Sequence, residues 1–165
     1  MGLEFPNLPY FIDGDFAFTE VVAIQKYIAG KWGPELLGRD VTERGQVAMI
    51  ASIVGDVKGG TTQGCYLDGD RAILVKTVFD KVPPLIKFLG NKPYLVGDQV
   101  TWVDFFFVEL VDFMNFLTEG QLIINYPVLQ RYFERVMSLP GLKEFWNSEY
   151  CIKRPFNNKI AKINN

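Results

Sequence analysis

The chain has 165 residues, 48% hydrophobic and 15% aromatic, with 17 basic against 19 acidic side chains, the composition of an ordinary globular domain with a real core and not of a disordered segment. It contains no histidine, which excludes imidazole general bases, Ser-His and Cys-His nucleophile pairs and His-ligated zinc. Chemistry is left to Tyr, carboxylates, Lys, Arg, Ser/Thr and two cysteines, Cys65 and Cys151, whose spacing fits neither a metal site nor a disulfide framework and suits a reducing compartment.

The N-terminal stretch, with Glu4, Pro6 and Pro9, lacks the basic-then-apolar layout of a leader. A cytoplasmic location is the expectation. No stretch reaches 18 apolar residues free of charge, so no membrane span is expected. The lysines and arginines are scattered except in a mildly basic tail, Lys153 to Lys162, so no nucleic-acid stripe is expected either. That tail reads as a solvated end packing over the domain.

Leu8-Pro9-Tyr10-Phe11-Ile12 is a short apolar run stopped by Asp13-Gly14-Asp15, after which Phe16-Ala17-Phe18-Thr19 resumes extended character. The pattern predicts a β-hairpin. From Glu20 the period changes, with Val21, Ile24, Tyr27 and Ile28 recurring at three and four positions, and the helix is expected to end near Lys31 before Gly33-Pro34. A hairpin and one helix are too little to fold alone.

Residues 34 to 41 read as a linker, and everything after Thr42 is helical in pattern. A long helix from Thr42 carries Val47, Ile50, Ala51, Val54 and Val57, weakens at Gly59-Gly60 and reaches Tyr66. Asp70 to Leu89 is also helical, but Pro83-Pro84 inside it predicts a kink or restart. Thr101-Trp102-Val103-Asp104 has the form of a capping box with Asp in the Glu/Gln place, and Val100 with Phe105 has the spacing of a hydrophobic staple. The helix it opens, to Thr118, is apolar around nearly its whole circumference, which describes a helix enclosed by others. Two shorter helices follow, Pro127 to Ser138 and Leu142 to Trp146.

Several motifs, in order along the chain, closely resemble the mu class of cytosolic glutathione S-transferases. They are Phe5 to Gly14 (FPNLPYFIDG), Thr19-Glu20 with Ala23-Ile24, Gly90 to Asp98 (GNKPYLVGD), Val100-Thr101 with Val103-Asp104-Phe105, Tyr126-Pro127 with Leu129, and Arg154-Pro155 with Asn158-Lys159. The resemblance implies a mainly α fold: residues 1 to 33 as the last part of a thioredoxin-like domain, a β-hairpin plus helix, and residues 34 to 165 as the family's all-helical C-terminal domain. It also implies a dimer that adds glutathione thiolate to electrophiles, without a metal.

By the same resemblance, Leu8, before a cis Pro9, matches the backbone that pairs with the cysteinyl part of glutathione, with Asn7 beside it. Glu20 matches the position that holds the γ-glutamyl amino group, where following helix N–H groups would receive the carboxylate. The serine and asparagine that follow in the family pattern are Val21 and Val22 here, which removes a hydroxyl donor. Asp56 matches the residue that reaches across the dimer, and reads equally as an ordinary exposed helix aspartate. Tyr66 matches the hydroxyl lining the electrophile pocket, and reads equally as a helix-end aromatic. Phe5 matches the aromatic key that enters the partner subunit, and Lys26 an interface arginine, without its planar fork. Cys65 reads as a buried helix residue, not a nucleophile.

The likeness begins at residue 2, inside the family's first domain. Family members carry two strands and two helices before the Asn-Leu-Pro segment, including the tyrosine that stabilises the thiolate. The expectation for the chain as written is therefore an impaired or absent transferase. Two readings stand beside it. One is a non-enzymatic scaffold, a homodimer or a subunit of a larger assembly held through the dimer face and the open hairpin edge. The other is a binder of apolar molecules using the aromatic-rich helices.

Overall fold

The structure, a computed structural model, describes residues 2–164; Met1 and Asn165, the end residues of the two expected segments, lie outside the described residues. Strands β1 (Tyr10–Asp13) and β2 (Phe16–Thr19) pair antiparallel, with Phe11 opposite Phe18 and Asp13 opposite Phe16. Positive φ falls at Gly14 and not at Asp15, the pattern of a two-residue II′ turn that only glycine enters without strain. Side chains alternate across a strand, so Phe11, Phe16 and Phe18 share one face. That face meets Tyr27 and Trp32 of helix α1 (Val21–Trp32), with Phe16 and Phe18 stacked at 4.7 Å and Phe18 edge-on to Tyr27 at 5.1 Å. The opposite face leaves Tyr10 and Ile12 exposed.

A single 3-10 turn (Pro34–Leu37) occupies the expected linker and leads to α2 (Val41–Leu67), whose N-cap Asp40 accepts the Glu43 amide. Gly59 and Gly60 do not interrupt α2. Its buried stripe runs Val47, Ile50, Ala51, Val54, Val57, Thr61 and Cys65 through both glycines, so tertiary burial outweighs their helix propensity. At the two prolines the chain restarts: α3 (Arg71–Lys81) ends, Val82 intervenes, and α4 (Pro83–Leu89) begins with proline at its first position, where no intrahelical N–H is needed.

Helix α5 (Trp102–Leu117) is the centre of the molecule. Eleven of its residues are buried, among them Phe106, Phe107, Leu110, Val111, Phe113 and Met114, and it packs against α1, α2, α3, α6 (Gln121–Asn125) and α7 (Pro127–Met137). Its start is fixed by Asp104, which is fully buried and accepts from the Thr101 amide, the Thr101 hydroxyl, the Leu95 amide and the Tyr132 hydroxyl. Helix α8 (Leu142–Trp146) follows, and the chain then folds back: the Phe156 ring packs on Phe113 and Phe116, Ala161 is buried, and Arg154 forms a two-armed ion pair with Asp112. No helix among the described residues is long and apolar enough to cross a membrane.

Candidate functional site

The candidate site residues fall into two groups. At the junction of the hairpin and α1, Asn7, Leu8 and Glu20 are brought together by hydrogen bonds. Asn7 Nδ2 donates to Glu20 Oε1 at 3.0 Å, and Asn7 Oδ1 accepts the Leu8 amide at 2.9 Å. The peptide between Leu8 and Pro9 is cis, and Leu8 is 78% exposed. Its carbonyl accepts no hydrogen bond among the described residues.

Glu20 stands at φ 76°, a left-handed conformation uncommon for a side chain with a Cβ, and it immediately precedes α1. The first bond of α1 runs from the Ile24 amide to the Glu20 carbonyl, and no side chain caps the helix. The N–H groups of Val21, Val22 and Ala23 therefore lack intrahelical acceptors, and as the positive end of a three-turn helix they favour an anion. Val21 is exposed beside them, while Val22 turns toward the helical core and offers no donor.

A groove of about 750 Å³ lies alongside, bounded by Leu3 to Phe5 on one side and by Phe16 to Glu20 and Ala23 on the other. Phe5 is 77% exposed at its rim, with its carbonyl fixed by the Thr19 hydroxyl at 3.0 Å. Lys26 is exposed on α1 beside a small recess that it shares with Arg44 and Trp102.

The second group lies on α2, and no hydrogen bond among the described residues joins it to the first. Asp56 is exposed without a hydrogen bond or ion pair among the described residues. Tyr66, half-buried at the C-terminal end of α2, accepts the Asn158 amide at its hydroxyl, 3.2 Å away. Cys65 next to it is buried, and burial pushes its thiol pKa up, away from nucleophile behaviour.

Sequence reasoning placed Asn7 beside Leu8 but missed its bond to Glu20, thirteen residues away. It also missed the anchoring of Phe5 by Thr19. Both are side-chain contacts across a turn, for which a single sequence carries no signal.

Comparison with known proteins follows the same lines. Residues 70–149 match the family model described as "Glutathione S-transferase, C-terminal domain". Over 166 residues the chain is 35% identical to the class-mu 26 kDa isozyme 51 glutathione S-transferase of Fasciola hepatica, covering 99% of this chain and 75% of that one. Over 168 residues it is 30% identical to glutathione S-transferase Mu 1 of Rattus norvegicus, covering 100% and 76%. A solved structure, the glutathione S-transferase Blo t 8, superposes with a TM-score of 0.85 at 27% identity, covering 99% of this chain and 78% of that one.

Proposed function

The chain belongs to the glutathione S-transferase family, with mu-class relatives, and on that premise we propose that the hairpin–α1 junction is a weakened glutathione site and that conjugation of glutathione to electrophiles by this chain is impaired or absent. Asn7, the Leu8 backbone before Pro9, Glu20 and the amide of Val21 would hold the tripeptide, and Asp56 of a second subunit would reach the same ligand. Tyr66 would face the electrophile, and Phe5 and Lys26 would lie at a dimer interface. A cytoplasmic location accompanies this reading, as does a division into a thioredoxin-like part up to residue 33 and a helical domain from residue 34.

The observation that carries the reading is the pairing of Asn7 with Glu20 beside two valines. The bond between Asn7 and Glu20 occupies one donor and one acceptor that a ligand would otherwise use. The α1 amides are open to a carboxylate, but no hydroxyl supports them. One charge-assisted hydrogen bond is worth roughly 1.5–3 kcal/mol, or about one to two decades of affinity. Titration calorimetry with glutathione on the wild type and on Val21→Ser tests this, with tighter binding of that size expected in the variant. Equal affinities in the two proteins, or brisk turnover of a chloronitroarene by the wild type, would overturn it.

The second reading is a scaffold subunit. Both edges of the two-stranded sheet lack a strand partner among the described residues, and Tyr10 and Ile12 are exposed on its outer face. Light scattering on the chain purified from its native source separates this from a free homodimer: a mass beyond two copies favours the scaffold.

A further inference from the structure

A second polar feature lies where the turn after α4 meets α7. The turn after α4 and one face of α7 enclose a recess of about 60 Å³ lined by Gly90, Asn91 and Lys92 of the turn and by Val128, Arg131, the buried Tyr132 and Arg135 of α7. Arg131 and Arg135 are one helical turn apart on α7, so their side chains point the same way, and like charges at that spacing repel. Lys92 joins them from the turn, half-buried with its ammonium 3.8 Å from the centre of the Phe88 ring.

Among the described residues none of the three cations has a carboxylate within ion-pair distance. Glu134, the acid nearest in sequence on α7, is engaged by Gln130. The negative charge nearest Lys92 in effect is Asp104, whose two oxygens are already used by Leu95, Thr101 and Tyr132. Arg135 is held in place by a bond from its guanidinium to the Pro93 carbonyl at 3.1 Å. Three cations are thus gathered, one of them partly desolvated, without an ion-pair partner among the described residues, the Asp104 charge acting on Lys92 only from beyond ion-pair distance.

We propose that this recess binds a small tetrahedral oxyanion, a phosphate group carried either by inorganic phosphate or by a small phosphomonoester. Its volume leaves room for one small anion at most, so the remainder of a phosphomonoester would project into solvent. Guanidinium forks and an ammonium are the usual donors to phosphate, the former giving two parallel bonds and the latter a point charge. Loss of one such contact should weaken binding about tenfold, one charge-assisted bond's worth.

Amide chemical shifts followed during titration with inorganic phosphate, at ionic strength held constant with sodium chloride, test the site, and phenyl phosphate provides the second arm. Saturable shifts confined to residues 90–92 and 128–135 are expected, weakened about tenfold or more in Arg131→Gln. Arg131 is exposed and makes no hydrogen bond to the described residues, so this variant should melt like the wild type in the absence of phosphate. If both ligands saturate, the site takes a phosphate group on a larger molecule; if inorganic phosphate alone does, it is a closed site for the free ion. Shifts that do not saturate, that chloride alone reproduces, or that Arg131→Gln leaves unchanged would overturn the proposal.

Discussion

Asp104 and Tyr132 show how a buried charge is made tolerable. Asp104 is fully enclosed yet accepts four hydrogen bonds from three separate segments, so its desolvation is offset at each oxygen. Burial first, and the Asp104 charge next, push the Tyr132 phenol well above its ordinary range. In the unfolded chain that phenol ionises near pH 10, whereas in the folded chain it stays protonated. The unfolded state then binds fewer protons, so stability is full below about pH 10 and falls as the pH rises above it. Tyr132→Phe should cost roughly 1.5–3 kcal/mol at neutral pH and should flatten the alkaline limb of a urea-midpoint profile relative to wild type. Acid runs the other way at Glu43, where the Arg39 side chain and then its backbone amide hold the carboxyl below its ordinary range. That contribution is present above the unfolded carboxylate range and is lost as the pH falls, so Glu43→Gln should shallow the acid limb. At this scale sequence reading found the Thr101/Asp104 cap, because its parts lie three residues apart. It did not find Tyr132, 28 residues on, nor the recess of Lys92, Arg131 and Arg135, whose members looked scattered.

Among the elements, the hairpin, α1, α2, α5, α7 and α8 were legible, because each pairs a clear period with a turn or cap at its border. The break at Pro83-Pro84 was legible for the same reason. The turn at Pro34–Leu37 and the five-residue α6 were not: both are held in place by neighbours, and length alone is not the reason, since α8 is equally short. The sequence pattern already carried α2 past Gly59-Gly60 to Tyr66; that the pair does not weaken it depends on partners such as α5. The return of the tail depends on Gly69, at φ +67°, where an added Cβ would lie 2.5 Å from the Lys162 carbonyl carbon. Gly69→Ala should therefore lower stability by at least about 1–2 kcal/mol from backbone conformation alone. The tail would lift as well, and limited proteolysis beyond Arg154 should become faster. Unchanged melting and cleavage would show that the tail is not held there.

Across the whole molecule, buried apolar side chains concentrate in the helices from α2 to α7, while α1 contributes only Ile24 and Ala29 and the hairpin none. Regions with few buried contacts open first. Amide exchange should accordingly protect α5 most and the hairpin and α1 least, with residues 10–32 exchanging together through an opening that leaves the helical core intact. Uniform protection across both parts would show a single cooperative unit. How lightly the hairpin and α1 are fastened was not legible in the sequence, because that depends on which faces of α1 and α5 meet.

Trp102 stands at that meeting, 4% exposed and bordered by Ile28, Ala29 and Lys26 of α1 and by Val47 of α2, whereas Trp32 is 59% exposed and Trp146 lies half-covered on α8 beside Lys153. The chain thus carries its own optical gauge of the seam. With Trp32→Phe and Trp146→Phe as background, the remaining emission should be that of a blue, quencher-shielded indole. In mild denaturant it should move red and become accessible to iodide before far-ultraviolet dichroism reports any loss of helix.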